Sequence, residues 1–198
     1  MRILVVGSGG REHAICWKIS QNRNVEKIFC APGNGGVSLL EKGENVDIKG
    51  VDSLLQFALE NKIDLTIVGS EELLVDGIVD RFKEAGLKIF GPDKKSALLE
   101  GSKSFAKDFM KKYGIKTAEY ATFTKADKAK EYLNNCKYPI VVKASGLAAG
   151  KGVIICQDKL EANKAIDDIM VDKIFKDAGN EVVIDCLLYT SDAADDGE

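Results

Sequence analysis

Over the first ninety positions, apolar residues fall in short blocks separated by turn-forming clusters. Residues 2–6 (RILVV) have strong strand preference and are closed by Gly7-Ser8-Gly9-Gly10. From 11 to 20 the apolar residues return at helical spacing, with Ala14, Ile15, Trp17 and Ile19 as the expected inward positions. Residues 25–31 read as a second strand, and 32–36 (PGNGG) as a loop too rich in glycine to be helical. A short strand is predicted at 46–48, and a helix at 51–60 with Leu54, Leu55, Ala58 and Leu59 inward. A strand at 64–68 follows, then one amphipathic helix over 73–85 carrying Leu74, Ile78, Val79 and Phe82, then a strand at 87–90 stopped by Gly91-Pro92. Strand and helix alternate throughout. That order implies a parallel sheet covered on both faces, with ligands beyond the carboxyl ends of its strands. The loops at 7–12, 31–36 and 69–71 leave those ends.

The pattern changes near residue 100. Ser102 is an expected N-cap, and Phe105, Phe109 and Met110 would carry the apolar face of the helix it starts. A strand at 119–123 and a helix at 125–134 capped by Thr124 come next. Two apolar strands then flank a glycine cluster, PIVVKASGLAAGKGV at 139–153. A helix at 159–169, with Leu160, Ala165, Ile166 and Ile169 inward, and a strand at 181–184 complete a β-α-β-β-α-β order. That order suggests a small sheet layered with two helices, an α+β unit distinct from the first. The boundaries are therefore set at 1–101, 102–185 and a tail at 186–198.

The glycine cluster is the strongest chemical signal. Glycines let backbone amides approach an anion closely, and Lys143 and Lys151 add point charges suited to phosphate oxygens. It is not a P-loop: its glycines stand one residue too close, Gly152 occupies the position of the Mg²⁺-binding hydroxyl, and a strand follows instead of a helix. The arrangement suits a lid over a nucleotide, although an ordinary glycine hairpin has the same spacing. The loop at 7–12 is a poor dinucleotide fingerprint, because Glu12 stands where the third glycine belongs. A helix N-terminus beside Arg11 favours phosphate or carboxylate instead. His13 reads either as a packing or capping residue or as a direct participant. Glu71 reads either as a ligand for a ribose hydroxyl or amine, or as a solvated helix-start acid.

Composition narrows the classes. The chain has 198 residues, 45% hydrophobic and 30% charged, with net charge −3, which fits a soluble globular protein and argues against a nucleic-acid surface. No apolar run approaches the roughly 20 residues of a membrane span. The five cysteines are scattered without CxxC pairs, as expected for reduced thiols in the cytoplasm, and with one histidine a zinc site is not expected.

Four motifs in order carry a family resemblance: GSGGREH at 7–13, APGN at 31–34, LEGSK at 99–103 and KASGLAAGKGV at 143–153. Together they resemble the phosphoribosylamine–glycine ligase (glycinamide ribonucleotide synthetase) family of the ATP-grasp superfamily. The resemblance implies an α/β fold: a parallel-sheet, Rossmann-like pre-ATP-grasp substrate domain followed by an α+β ATP-grasp lid subdomain. It implies that ATP phosphorylates glycine and that 5-phosphoribosylamine attacks the acyl phosphate, in de novo purine synthesis. By the same resemblance ATP would be bound by Lys103, Lys143, Gly146, Leu147, Ala148, Ala149, Gly150, Lys151 and Gly152. The phosphoribosylamine site would involve Gly9, Gly10, Arg11, Glu12, Asn34 and Glu71. No catalytic residue is assigned. Mg²⁺ or Mn²⁺ is expected, with no ligand for it in this chain. The expected protein is a cytoplasmic monomer acting on small molecules, without nucleic acid or membrane.

The sequence departs from the family pattern at Ser145, often aspartate, at Ser70, often proline, and after Asp185. Residues 186–191 (CLLYTS) are what TGT CTC TTA TAC ACA TCT encodes, which resembles a transposase-end sequencing adapter. The expectation is a read-through tail on a truncated gene that lacks the second half of the ATP-grasp fold and is inactive by itself. A genuine acidic disordered terminus is the competing reading. Against the ligase stand another ATP-grasp carboxylate–amine ligase, a NAD-dependent oxidoreductase and a non-catalytic nucleotide-binding module.

Overall fold

The structure, a computed structural model, describes residues 1–148 and 150–186. The chain forms two compact units that divide between Leu98 and Leu99.

The first unit is a parallel sheet. Its strands are β1 (Arg2–Gly7), β2 (Lys27–Pro32), β3 (Gly43–Asn45), β4 (Leu65–Val68) and β5 (Ile89–Phe90), in the order β3-β2-β1-β4-β5. Val5 of the central strand lies opposite Cys30 on one side and Ile67 on the other. Alternate residues of β1 feed two cores, as strand geometry requires. Leu4 and Val6 pack with Phe29, Leu54, Ala58 and Phe82, whereas Ile3 and Val5 pack with Cys16, Ile28, Cys30 and Val37.

Several expectations are corrected. Helix α1 (Gly10–Ser20) turns Glu12 and Cys16 to the sheet, one turn apart, and leaves Ala14 and Trp17 exposed. The glycine-rich loop is partly helical: α2 (Gly35–Ser38) forms because the Asn34 side chain accepts the amides of Gly36 and Val37 at 3.0 and 3.2 Å. The short strand is β3, not 46–48. A Cβ at Gly43 would stand 2.4 Å from the Val37 carbonyl oxygen, so glycine admits this edge strand where propensity gives no hint of one. Helix α3 (Val51–Glu60) buries Leu54 and Ala58 and exposes Leu59. The single helix predicted at 73–85 is two, α4 (Glu71–Asp76) and α5 (Ile78–Glu84). They break at Gly77, whose φ of +93° is a left-handed cap that glycine adopts without penalty. Ile78, Val79 and Phe82 are buried as expected. Helix α6 (Lys94–Gly101) spans the division between the units.

The second unit begins with α7 (Lys103–Lys112), which Ser102 caps by accepting the Phe105 amide at 3.2 Å. Then come β6 (Tyr120–Phe123), α8 (Ala126–Tyr132), β7 (Ile140–Ala144), β8 (Val153–Cys156), α9 (Lys159–Ile166) and β9 (Val182–Cys186). The sheet is antiparallel in the order β6-β9-β7-β8, so the last strand in sequence is interior. Leu133, Ile140, Val142, Ile166, Ile169, Val182 and Ile184 form its core. Here too the pattern misplaces some side chains. Leu160 is exposed and Ala162 takes the inward position. Phe105 is exposed, and the buried positions of α7 are the polar Ser104 and Lys107. Lys125, not Thr124, precedes α8, which ends in a 3₁₀ turn at Leu133–Asn135. Helix α9 widens into a π turn at Asp167–Val171. Of the tail expected from 186, Cys186 completes β9 and the rest lies outside the described residues.

Candidate functional site

The loops at the carboxyl ends of β1, β2 and β4 are built around one carboxylate. Glu12 is 3% exposed. It accepts the Gly9 amide at 2.6 Å and meets Arg11 Nε at 3.1 Å. A Cβ at Gly7 would lie 2.6 Å from its Cδ, and one at Gly69 would lie 1.9 Å from its Oε1. Glycine at both positions lets two loops close on the same side chain. Glu12 therefore organises the loops from beneath.

Arg11 stands above it, with its side chain 57% exposed. Its guanidinium donates to the Gly69 carbonyl and, at 2.9 Å, to Glu71 Oε1. Hydrogen bonds to Glu71 and Glu12 raise the Arg11 pKa. Glu71 is held below the usual carboxylate range by its own backbone amide and by Arg11. Asn34 ties the β2 loop to the β1 loop, donating to the carbonyls of Ser8 at 3.1 Å and Gly9 at 2.9 Å. Asn45 in turn donates to the Asn34 carbonyl at 2.7 Å, a brace with no sequence signal. The His13 ring packs on Gly36, where a Cβ would come within 2.6 Å of it, which is the packing alternative for that residue. Gly9, Gly10, Arg11, Glu12, Asn34 and Glu71 thus belong to one cluster. It presents a fixed guanidinium and a helix N-terminus, which together suit an anion.

The second cluster surrounds the β7–β8 hairpin. Ala144 donates to the Gly152 carbonyl at 2.8 Å, and Lys151 to Ala148 at 2.9 Å. Gly146 lies so close to the 3₁₀ turn at Lys176–Asn180 that a Cβ would meet Ala178 Cα at 2.7 Å, and its amide donates to the Ala178 carbonyl at 3.2 Å. Gly150 has φ +75°. Lys103 Nζ donates to the Gly146 carbonyl at 3.0 Å, and its own amide to Ser145 at 2.8 Å. Burial, and then the nearby Lys143 charge, lower the Lys103 pKa. Lys143 Nζ is 2.5 Å from Asp185 Oδ2. Lys103 and Lys143 therefore converge at the hairpin base, with Leu147 and Ala148 half-buried beside them and Lys151 exposed. Ala149 lies outside the described residues.

Sequence reasoning missed the polar network under this hairpin. Ser145 Oγ accepts the Ser104 amide at 3.2 Å and lies 2.9 Å from Ser104 Oγ, which also donates to Glu181. Lys107 and Asp185 were missed as well. The available signal was the i, i+4 spacing of Lys103 and Lys107. Among the described residues, no three His, Cys, Asp or Glu side chains gather as a metal site, and no helix is long and apolar enough to cross a membrane.

Comparison with known proteins agrees across both units. Residues 1–100 match the family model "Phosphoribosylglycinamide synthetase, N domain", and residues 101–194 match its ATP-grasp (A) domain. The chain is 60% identical over 194 residues to the phosphoribosylamine–glycine ligase of Clostridium acetobutylicum, covering 98% of this chain and 47% of that protein. It is 59% identical to the Fusobacterium nucleatum ligase, covering 95% and 44%. The chain thus spans just under half the length of these curated relatives. Among solved structures, the phosphoribosylamine–glycine ligase of Thermotoga maritima aligns with TM-score 0.75 and 33% identity, over 95% of this chain and 44% of that one. The biotin carboxylase domain of Hydrogenobacter thermophilus 2-oxoglutarate carboxylase, solved with MgADP, shares the fold at TM-score 0.74 and 18% identity, over the same shares.

Proposed function

The chain belongs to the phosphoribosylglycinamide synthetase family, and on that premise we propose that it supplies the substrate domain and the ATP lid of an ATP-dependent carbon–nitrogen ligase. Residues 1–101 bind 5-phosphoribosylamine and residues 102–185 bind ATP. The glycine carboxylate takes the γ-phosphoryl group of ATP, giving glycyl phosphate and ADP. The amine of phosphoribosylamine then attacks the acyl carbon, phosphate leaves and the nitrogen loses a proton, giving glycinamide ribonucleotide.

The observation that carries this reading is the convergence of Lys103 and Lys143 at the base of the glycine hairpin. Two ammonium groups and the amides of Gly150 and Gly152 suit triphosphate oxygens, with Gly146, Leu147, Ala148, Ala149 and Lys151 completing the covering loop. Closure over the nucleotide would stabilise the transferring phosphoryl group and keep water from the acyl phosphate. In the first unit, Arg11 and the Gly10 amide at the helix N-terminus take the sugar phosphate, Gly9 shapes the loop through its bond to Glu12, and Glu71 takes a ribose hydroxyl or the amine. Glu12 and Asn34 set the loop geometry from behind. Mg²⁺ or Mn²⁺ would accompany the triphosphate and polarise the transferred group. The same reading makes the enzyme a cytoplasmic monomer.

The test is a chimera in which residues 1–185 replace the matching segment of the Clostridium acetobutylicum ligase. It should form glycinamide ribonucleotide, and K143M in it should raise the KM for ATP by tenfold or more. A folded chimera without ligase activity would overturn the proposal.

A further inference from the structure

Lys107 and Asp185 have no part in the reading above, yet they are among the most buried charged groups of the second unit. Asp185 is 3% exposed and sits on an interior strand, with Val141 opposite it on β7. Lys143, two residues further along β7, reaches back across the same face to Asp185 Oδ2 at 2.5 Å. Lys107 approaches from α7, one turn after Lys103, and places its ammonium 3.1 Å from Asp185 Oδ1. That contact is coulombic and not an aligned hydrogen bond. The directed bond of Lys107 goes to Thr117 Oγ1 at 2.8 Å, and its charge stands 5.5 Å from the centre of the Tyr120 ring.

The charge count is the point. One buried carboxylate has two ammonium partners. The Lys107 side chain is 11% exposed and fixed on three sides, whereas that of Lys143 is 25% exposed and stands at the hairpin. A buried carboxylate stripped of its counter-charge is strongly destabilising. Were Lys143 the sole partner, turning it toward a phosphate would strand Asp185. With Lys107 in place, Lys143 can leave and Asp185 stays paired. We propose that Lys107 is a standing counter-ion for Asp185, a positioning residue that frees Lys143 to bind a nucleotide phosphate. This rests on the ATP reading of the hairpin.

The test is calorimetric titration with ATP of the chimera described above, which carries the remaining length of the ligase, using its unsubstituted form (wild type), K107M, K107R, D185N and K107M/D185N. K107M should weaken binding at least tenfold, about 1.4 kcal/mol. K107R should stay within about threefold of wild type, because it restores the charge. In the D185N background, where no carboxylate can be stranded, adding K107M should change affinity less than about threefold. The same tenfold loss in both backgrounds would mean that Lys107 only supports the fold, and would overturn the inference. Should K107M alone fail to fold, the D185N pair decides on the same criterion. Wild type that binds ATP with K107M equal to it overturns this inference alone. Wild type that does not bind ATP overturns the nucleotide reading and this inference with it.

Discussion

Replacing Glu12 by glutamine probes the loop cluster with almost no change in shape. The carboxylate accepts the Gly9 amide at 2.6 Å and meets Arg11 Nε at 3.1 Å, and it is 3% exposed. A hydrogen bond to a charged acceptor contributes about 1.5–3 kcal/mol against about 1 for a neutral one, so the Gly9 bond weakens by about 1 kcal/mol. The Arg11 pair loses only about 0.5 kcal/mol, because the guanidinium is largely solvated and screened. The new amide NH₂ must face either Arg11 or the Gly9 amide, a donor against a donor, at about 1 kcal/mol. Glu12→Gln should therefore destabilise the first unit by about 2–3 kcal/mol. Trp17 is the only tryptophan in the chain and lies on the same helix, so its emission during urea unfolding follows this unit alone. A loss under about 0.5 kcal/mol with an unchanged denaturant slope would refute the view that Glu12 holds the loops together.

Further predictions follow from the second unit and from the thiols. Gly146→Ala places a Cβ 2.7 Å from Ala178 Cα, a backbone atom that cannot swing aside. It should cost about 1–3 kcal/mol in thermal unfolding, and a neutral result would mean the hairpin base is loosely packed. Lys103 has a lowered pKa from burial and the Lys143 charge, so between that value and 10.5 the unfolded chain binds more protons than the folded one. Stability should accordingly rise with pH across that window relative to K103M, and pH-dependent urea titrations showing parallel curves would contradict it. Cys16, Cys30 and Cys156 are buried, and burial pushes the Cys156 thiol up to about 11. In native protein a thiol reagent should modify exposed Cys186 first and reach those three only in urea. Rapid modification of all five cysteines would sink the burial assignment.

The order of strands and helices, the parallel character of the first sheet, the β-α-β-β-α-β order of the second and the glycine-rich motifs at the centre of both candidate clusters were legible in the chain. Blocks of β-branched residues, turn clusters and the glycine-lysine spacing are local properties, and they survive whatever packs around them. Which face of each helix turns inward was not always legible. Trp17 and Leu160 read as core and are exposed, while Glu12, Ser104 and Lys107, polar positions that an apolar pattern passes over, are buried. Periodicity counts apolar residues, but a buried charge is stable where partners distant in sequence meet it. Glu12 depends on glycines at 7 and 69, and Lys107 on a carboxylate 78 positions later. The breaks at Gly77 and Asn34 were equally hidden, because both hinge on where orphan amides and carbonyls find partners. Local pattern decided which elements form. Only the folded sheet decided which charges they enclose, since pairing across dozens of residues has no trace in any window of the sequence.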